Sequence, residues 1–329
     1  MFSGLEDTFG RQHSYLRISV TDRCNFRCVY CMPEEGLTWV PRTELLQFEE
    51  IARLVTIMAQ LGIQKVRLTG GEPTLRSDII SLIASLKAID GIEEIAMTTN
   101  GHTLAALASP MAKAGLDRVN VSIDTVNPEL FSDLTRGGNL QRVLDGIEAA
   151  RLAGLTPIKL NAVILADQND EELFDLVDYA SRTAHDTELR FIEYMPFEQR
   201  LFRTVKANEL RSRLSSRYTL NRLSNKNRSG GPAQSMEIEE TGLKIGFISP
   251  LSEHFCASCN RLRLMADGNL RTCLAHEDTP SLRDLLRSGY TDMELAESIQ
   301  TMVLGKPSGH DCMINGGTLF EGTMTAIGG

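Results

Sequence analysis

The chain has 329 residues, 42% of them hydrophobic, which allows one large domain or a large and a small one around a sizeable core. Against 34 basic residues stand 43 acidic ones, a net charge of −9, so no global positive field exists to gather nucleic acid or an anionic membrane. An anionic substrate would need local basic groups.

No apolar run approaches the length that spans a bilayer. Residues 1–15 are polar, without the apolar stretch of a signal peptide, so a cytoplasmic location is expected. Seven cysteines in such a chain point to metal or redox chemistry rather than to disulfides. Six of them fall in two triplets, and Cys312 stands apart as a structural or incidental thiol.

Taken in order, residues 1–15 read as an arm with Arg11, His13 and Tyr15 near its end. Leu16, Ile18 and Val20 mark a strand, and Cys24, Cys28 and Cys31 follow it in a C-x3-C-x2-C loop. Phe48 to Leu61 carries a helical apolar stripe, with Gly62 as its stop. Lys65 to Thr69 is a strand that runs into Gly70-Gly71-Glu72-Pro73. A helix around Ile79–Leu86 is capped by Ser77 or Asp78. Ile95–Thr99 is a strand, and the helix from Thr103 is interrupted or split by Pro110. Arg118–Asp124 is a strand, 141–153 a helix, Ile158–Ile164 a strand, Glu171–Ala180 a helix and Glu188–Tyr194 a strand.

A helix-closing glycine a few residues before a strand recurs at Gly62, Gly91, Gly115 and Gly154, the αβ loop of a repeated βα unit. Six such units in series predict an α/β fold, an incomplete (βα)6 TIM-like barrel open on one side. Beyond Met195 the composition shifts. Arg222–Pro232 reads as a mobile loop, Thr241–Ile248 as a hairpin strand and 281–303 as helical. The division expected is a barrel over 1–219 and a smaller C-terminal part over 220–329 that covers the open side.

The strands are unusual for a barrel, whose interior is ordinarily filled by Val, Ile and Leu. Asn120, Ser122 and Asp124 share one face, Lys159 and Asn161 another, and Arg67 lies on a third strand. If these faces point inward, the barrel holds a polar ligand.

Three thiolates so close in sequence fold back on one metal centre. On a cube of four irons, three leave one iron open to a small molecule, whereas a closed site takes four protein ligands. A zinc knuckle completed by His13 or a distant residue is the alternative. Cys256, Cys259 and Cys273 form C-x2-C-x13-C, and zinc closed by His254 or His276 is again possible on spacing alone. Arg261 and Arg263 alternate on one side of an extended segment, suited to bidentate bonds with phosphate. No GxSxG, HExxH or GxxxxGK[ST] motif is present.

CxxxCxxC with an aromatic residue before the last cysteine resembles the signature of the radical S-adenosylmethionine superfamily. The surrounding SVTDRCNFRCVYCMPEEG is similar to the GTP 3′,8-cyclase family, which opens molybdenum-cofactor biosynthesis, and the similarity extends over essentially the whole chain. The resemblance implies a [4Fe-4S] cluster on Cys24, Cys28 and Cys31 whose open iron chelates S-adenosylmethionine. The GGEP turn resembles the superfamily's GGE motif, and Tyr30, Gly71, Ser122 and Met195 would contact that cofactor. It implies a second [4Fe-4S] cluster on Cys256, Cys259 and Cys273 whose unligated iron binds the purine of GTP, with Arg17, Arg67, Thr98, Lys159, Arg261, Leu262 and Arg263 as substrate contacts. The C-terminal Gly328-Gly329 would enter the pocket, although Gly322 and Thr323 stand where the family usually has a basic residue.

The implied reaction needs an external electron donor. A 5′-deoxyadenosyl radical takes hydrogen from ribose C3′, the carbon radical adds to guanine C8, and reduction gives 3′,8-cyclo-7,8-dihydro-GTP for a separate cyclic pyranopterin monophosphate synthase. A homodimer is expected, with neither nucleic acid nor membrane as partner. Two rivals stand beside this reading: a peptide-modifying radical enzyme with auxiliary clusters, and a non-catalytic zinc-binding module.

Overall fold

The structure is a computed structural model that describes residues 4–195, 202–223, 231–274 and 280–309. The first half alternates strand and helix: β1 (Tyr15–Ser19), α1 (Phe48–Gln60), β2 (Lys65–Thr69), α2 (Ile79–Lys87), β3 (Glu94–Thr99), α3 (Leu104–Lys113) and β4 (Arg118–Ser122). Two helices, α4 (Pro128–Thr135) and α5 (Leu140–Leu152), lead to β5 (Ile158–Ile164), α6 (Leu173–Ser181) and β6 (Thr187–Glu193). Then come α7 (Ala207–Ser215), β7 (Leu220–Arg222), β8 (Gln234–Ile238), β9 (Lys244–Ile248), β10 (Arg261–Leu264), β11 (Leu270–Arg271), α8 (Leu282–Arg287) and α9 (Asp292–Leu304).

All eleven strands belong to one sheet, in the order β11-β10-β1-β2-β3-β4-β5-β6-β9-β8-β7. β1 to β6 pair in parallel in chain order, the expected open (βα)6 run. The C-terminal region is less separate than the sequence suggests, because the sheet continues across residue 220. β9 adds in parallel to β6 at one edge, and β10 adds in parallel to β1 at the other. The connection 249–260 therefore passes from one edge of the run to the other, across its open side, and carries Cys256 and Cys259.

Alternation along the strands sorts the side chains. Leu16 and Ile18, Val66 and Leu68, Ile95 and Met97, Val119 and Val121 are buried in the core with the apolar stripes of the helices. The opposite face carries Arg17, Arg67, Thr98, Asn120, Ser122, Lys159 and Asn161, which line a central cavity. The glycines that close the units, Gly62, Gly91, Gly115 and Gly154, all have left-handed backbone, as the repeat requires.

Four local expectations change. Pro110 lies inside α3 without ending it, because Leu104, Ala108 and Met111 form one buried stripe on both sides of the ring. Asp78 occupies the cap position of α2 but makes no side-chain capping bond. The stretch 281–303 is two helices, parted where Gly289 takes a left-handed conformation. α4 and α7 had no counterpart in the sequence reading. α4 is signalled by Asn127, whose side chain accepts from the Glu129 and Leu130 amides, followed by Pro128. α7 buries only Ala207, Leu210 and Leu214, too sparse a stripe to stand out among its charges.

Candidate active site

The cysteine loop starts where β1 ends and is joined to the GGEP turn by two backbone hydrogen bonds. The Gly71 amide donates to Thr21 O at 2.8 Å and the Glu72 amide to Arg23 O at 2.8 Å. A Cβ on Gly70 would stand 2.5 Å from Thr21 O, and one on Gly71 would stand 2.3 Å from Arg23 O. The two glycines thus admit the loop that carries the thiols, as well as lining the cavity themselves.

Glu72 is buried and structural. Its Oε1 accepts from the Thr74 amide, Thr74 Oγ1 and Thr99 Oγ1, and its Oε2 from the Asn100 amide at 2.7 Å. Burial raises its pKa, and these donors pull it back. Glu72→Gln would turn an N–H₂ toward one of these donors. An unfolding midpoint lowered by about 2 kcal/mol of stability is expected, read by thermal denaturation; an unchanged midpoint would deny Glu72 this role.

Cys24 and Cys28 line the cavity with Cys31. Cys24 Sγ accepts from the Phe26 amide at 3.4 Å and from Asn100 Nδ2 at 3.9 Å. Burial, with a smaller push from Glu72, raises the Cys24 thiol to about 11; burial together with Cys31 and Asp124 raises Cys28 well above the usual range. A buried thiol of this kind loses its proton when a metal takes its place. Tyr30 donates to Asp124 Oδ2 at 2.7 Å, and Asp124 Oδ1 accepts from the Val163 amide. Burial lifts Asp124 to about 6. Tyr30, Gly71, Ser122 and Met195, the expected S-adenosylmethionine contacts, all line the same cavity as these thiols.

One wall of the cavity is strongly cationic. Arg263, Arg17 and Arg67 stand directly opposite one another on the neighbouring parallel strands β10, β1 and β2. Burial lowers the pKa of Arg17 well below its usual value, and Arg263 and Arg67 lower it further. Burial and then Arg261 hold Arg263 down to about 10. Arg67 donates to the Tyr15 hydroxyl and to Thr98 Oγ1. On the far wall Lys159 pairs with Glu188 at 3.3 Å, and burial followed by Arg190 brings it down to about 8. Like charges assembled at strand register in a buried wall repel one another unless an anion lies among them.

The second triplet faces the same space. Cys256, Cys259 and Cys273 line the cavity of about 370 Å³ together with Cys24, Cys28 and Cys31. Burial alone would raise Cys259, but Arg261 and Lys306 outweigh it and bring the thiol to about 7. Two of the three histidines considered as closing ligands have other partners: His254 Nδ1 bonds to Pro250 O, and His13 Nε2 lies 2.9 Å from Asp7 Oδ2. Among the described residues no three His, Cys, Asp or Glu side chains converge on a single-ion site. A four-iron cube asks for no such convergence, because each thiolate binds a different iron.

Every expected cysteine ligand and nearly every expected contact is therefore gathered in one chamber. Leu262 differs. It lies between Arg261 and Arg263 on β10, and alternation turns its side chain into the core, leaving only its main chain for the chamber. His276, Cys312, Gly328 and Gly329 lie outside the described residues. Sequence reasoning missed Arg118 and Arg190, which also line the chamber. Arg118 has the same parity as Asn120 and Ser122 on β4, so the period of two could have found it. Arg11 and Lys306 also line it, and nothing in the sequence connects them. Among the described residues no helix is long and apolar enough to cross a membrane.

Comparisons with known proteins agree with this arrangement. Residues 18–180 match the Radical SAM superfamily, and residues 187–312 match the family described as Molybdenum Cofactor Synthesis C. A GTP 3′,8-cyclase of Rhodopseudomonas palustris is 44% identical over 318 residues, covering 94% of this chain and 91% of that protein. One from Paracoccus denitrificans is 45% identical over 93% of this chain and 90% of its own, and one from Listeria welshimeri is 42% identical over 93% and 92%. In fold the chain is similar to Streptococcus suis SuiB bound to S-adenosylmethionine, with a TM-score of 0.61 at 16% identity, over 95% of this chain and 77% of that one. The chain belongs to the GTP 3′,8-cyclase family of radical S-adenosylmethionine proteins.

Proposed function

We propose that the chamber is where GTP is converted to 3′,8-cyclo-7,8-dihydro-GTP, the first step of molybdenum-cofactor biosynthesis. The observation that carries this reading is one cavity lined by both cysteine triplets and by the arginine row Arg263, Arg17 and Arg67. Cys24, Cys28 and Cys31 would hold the first cluster, and Tyr30, Gly71, Ser122 and Met195 would seat S-adenosylmethionine against it. Cys256, Cys259 and Cys273 would hold a second cluster for the purine. When bound, the cluster and S-adenosylmethionine supply the electron and the 5′-deoxyadenosyl radical that opens the reaction at ribose C3′.

The chain's own residues bind, orient and shield. Arg17, Arg67, Arg261 and Arg263 grip the triphosphate by charge-assisted bonds, and Lys159 adds charge from the opposite wall. Thr98 is oriented by Arg67 to bond the substrate. Tyr30, fixed by Asp124, closes the cofactor's side of the chamber against water. An acidic protein can thereby hold a tetra-anionic nucleotide, because the positive charge is concentrated where the substrate lies. An external electron donor, a homodimer, insertion of Gly328-Gly329 and transfer of the product to cyclic pyranopterin monophosphate synthase belong to the same reading.

The test is anaerobic incubation with GTP, S-adenosylmethionine and dithionite, together with metal analysis. About eight irons per chain, 5′-deoxyadenosine and a cyclised nucleotide are expected. Zinc without iron or sulfide, or binding of a peptide with indifference to GTP, would overturn the reading.

A further inference from the structure

The second triplet is gripped from behind by a buried polar cluster drawn from both ends of the described chain. Asp7 orients two neighbours: Arg11 Nε donates to its Oδ2 at 2.6 Å, and His13 Nε2 lies 2.9 Å from the same oxygen. Arg11 then donates to Cys256 O at 2.9 Å, Pro307 O at 2.6 Å and Ser308 O at 3.0 Å. It ties the loop of the second triplet to the segment that follows α9. Lys306 completes the grip. Its Nζ donates to Arg261 O at 2.7 Å and to Cys259 Sγ at 3.8 Å, and lies 3.5 Å from His13 Nδ1. Asp7, Arg11, His13 and Lys306 are all buried.

The two triplets are thus surrounded by different chemistry. Cys24 receives a neutral amide, from Asn100, and the buried carboxyl groups Glu72 and Asp124 lie on its side. Cys259 receives an ammonium and is flanked by Arg261. Hydrogen bonds to ligand sulfur and local positive charge both favour the more electron-rich state of an iron–sulfur centre, and so raise its potential. Burial strengthens the effect, because a fixed charge in a low-dielectric wall is poorly screened.

We infer that Lys306, braced by His13 and Asp7, is a positioning residue that sets the potential of the centre held by Cys256, Cys259 and Cys273 above that of the centre held by Cys24, Cys28 and Cys31. The inference rests on the proposed second cluster. It places the stronger reductant beside S-adenosylmethionine and keeps the substrate-side centre from competing as a reductant of that cofactor.

The experiment uses the full chain reconstituted anaerobically, with Cys24, Cys28 and Cys31 all replaced by Ala so that one centre is read. About four irons per chain are expected in this background. No iron there would sink the second cluster and this inference with it. In the same background Lys306→Met, Lys306→Gln and Lys306→Arg are compared by a redox titration followed by electron paramagnetic resonance. The midpoint should move to more negative potential for Met and Gln and stay near the parent for Arg. If Met does not retain iron, the Gln and Arg variants decide. Equal midpoints for Gln, Arg and the parent at equal iron content would overturn the inference while leaving the second cluster standing. A merely structural lysine would lower iron content or thermal stability without shifting the midpoint.

Discussion

Arg263→Ala should abolish detectable cyclisation of GTP while S-adenosylmethionine still binds. Arg263 stands on β10 in the cationic wall, opposite Arg17 on β1, and in sequence it lies two residues after Arg261 between Cys259 and Cys273. Two charge-assisted bonds to a phosphate are worth about 1.5–3 kcal/mol each. Since 1.4 kcal/mol is a factor of ten, kcat/KM should fall by at least about 100-fold. Arg263→Lys should recover only part of this, because an ammonium cannot repeat the planar fork. S-adenosylmethionine binding, measured on the chain with both proposed centres loaded, should change little, because the contacts proposed for it are Tyr30, Gly71, Ser122 and Met195. Cyclisation at the parent rate in Arg263→Ala would show that the triphosphate lies elsewhere. Equal loss of both ligands would show that the residue is structural.

The legible part of this protein follows from two periods. The period of two along β4 and β5 put Asn120, Ser122, Lys159 and Asn161 on faces that cannot be a packed barrel interior, and the structure turns those faces into the chamber. The recurrence of glycine at helix ends gave the parallel run from β1 to β6. The C-terminal region was harder to place, because strand pairing between β1 and β10 joins residues about 246 apart in sequence and leaves no local trace. For the same reason nothing local in the sequence ties Arg11, in the N-terminal arm, to Lys306. The GGEP turn was legible as a motif but only half explained. The sequence shows that side chains are unwelcome there; the fold shows that the neighbour they would strike is the cysteine loop.

That neighbour makes Gly71→Ala a severely damaging change for the addition of one methyl group. Adding one methyl group would place carbon 2.3 Å from Arg23 O, 2.5 Å from Arg23 C and 2.7 Å from Asp22 O. All three are backbone atoms, so no side chain can rotate away. Relief requires the loop to withdraw, which breaks the bonds from the Gly71 and Glu72 amides and carries Cys24 out of place. Half the iron, about four per chain instead of eight, and no 5′-deoxyadenosine formation are therefore expected. Gly62→Ala is the matched control. Gly62 has a left-handed backbone, so alanine is strained there by about 1 kcal/mol, yet nothing stands within 4 Å of the added carbon. It should lose a little stability and keep both its iron and its turnover. If Gly71→Ala retained full iron and cleaved S-adenosylmethionine as the parent does, the contact between the GGEP turn and the cysteine loop would not be what holds the first centre in place.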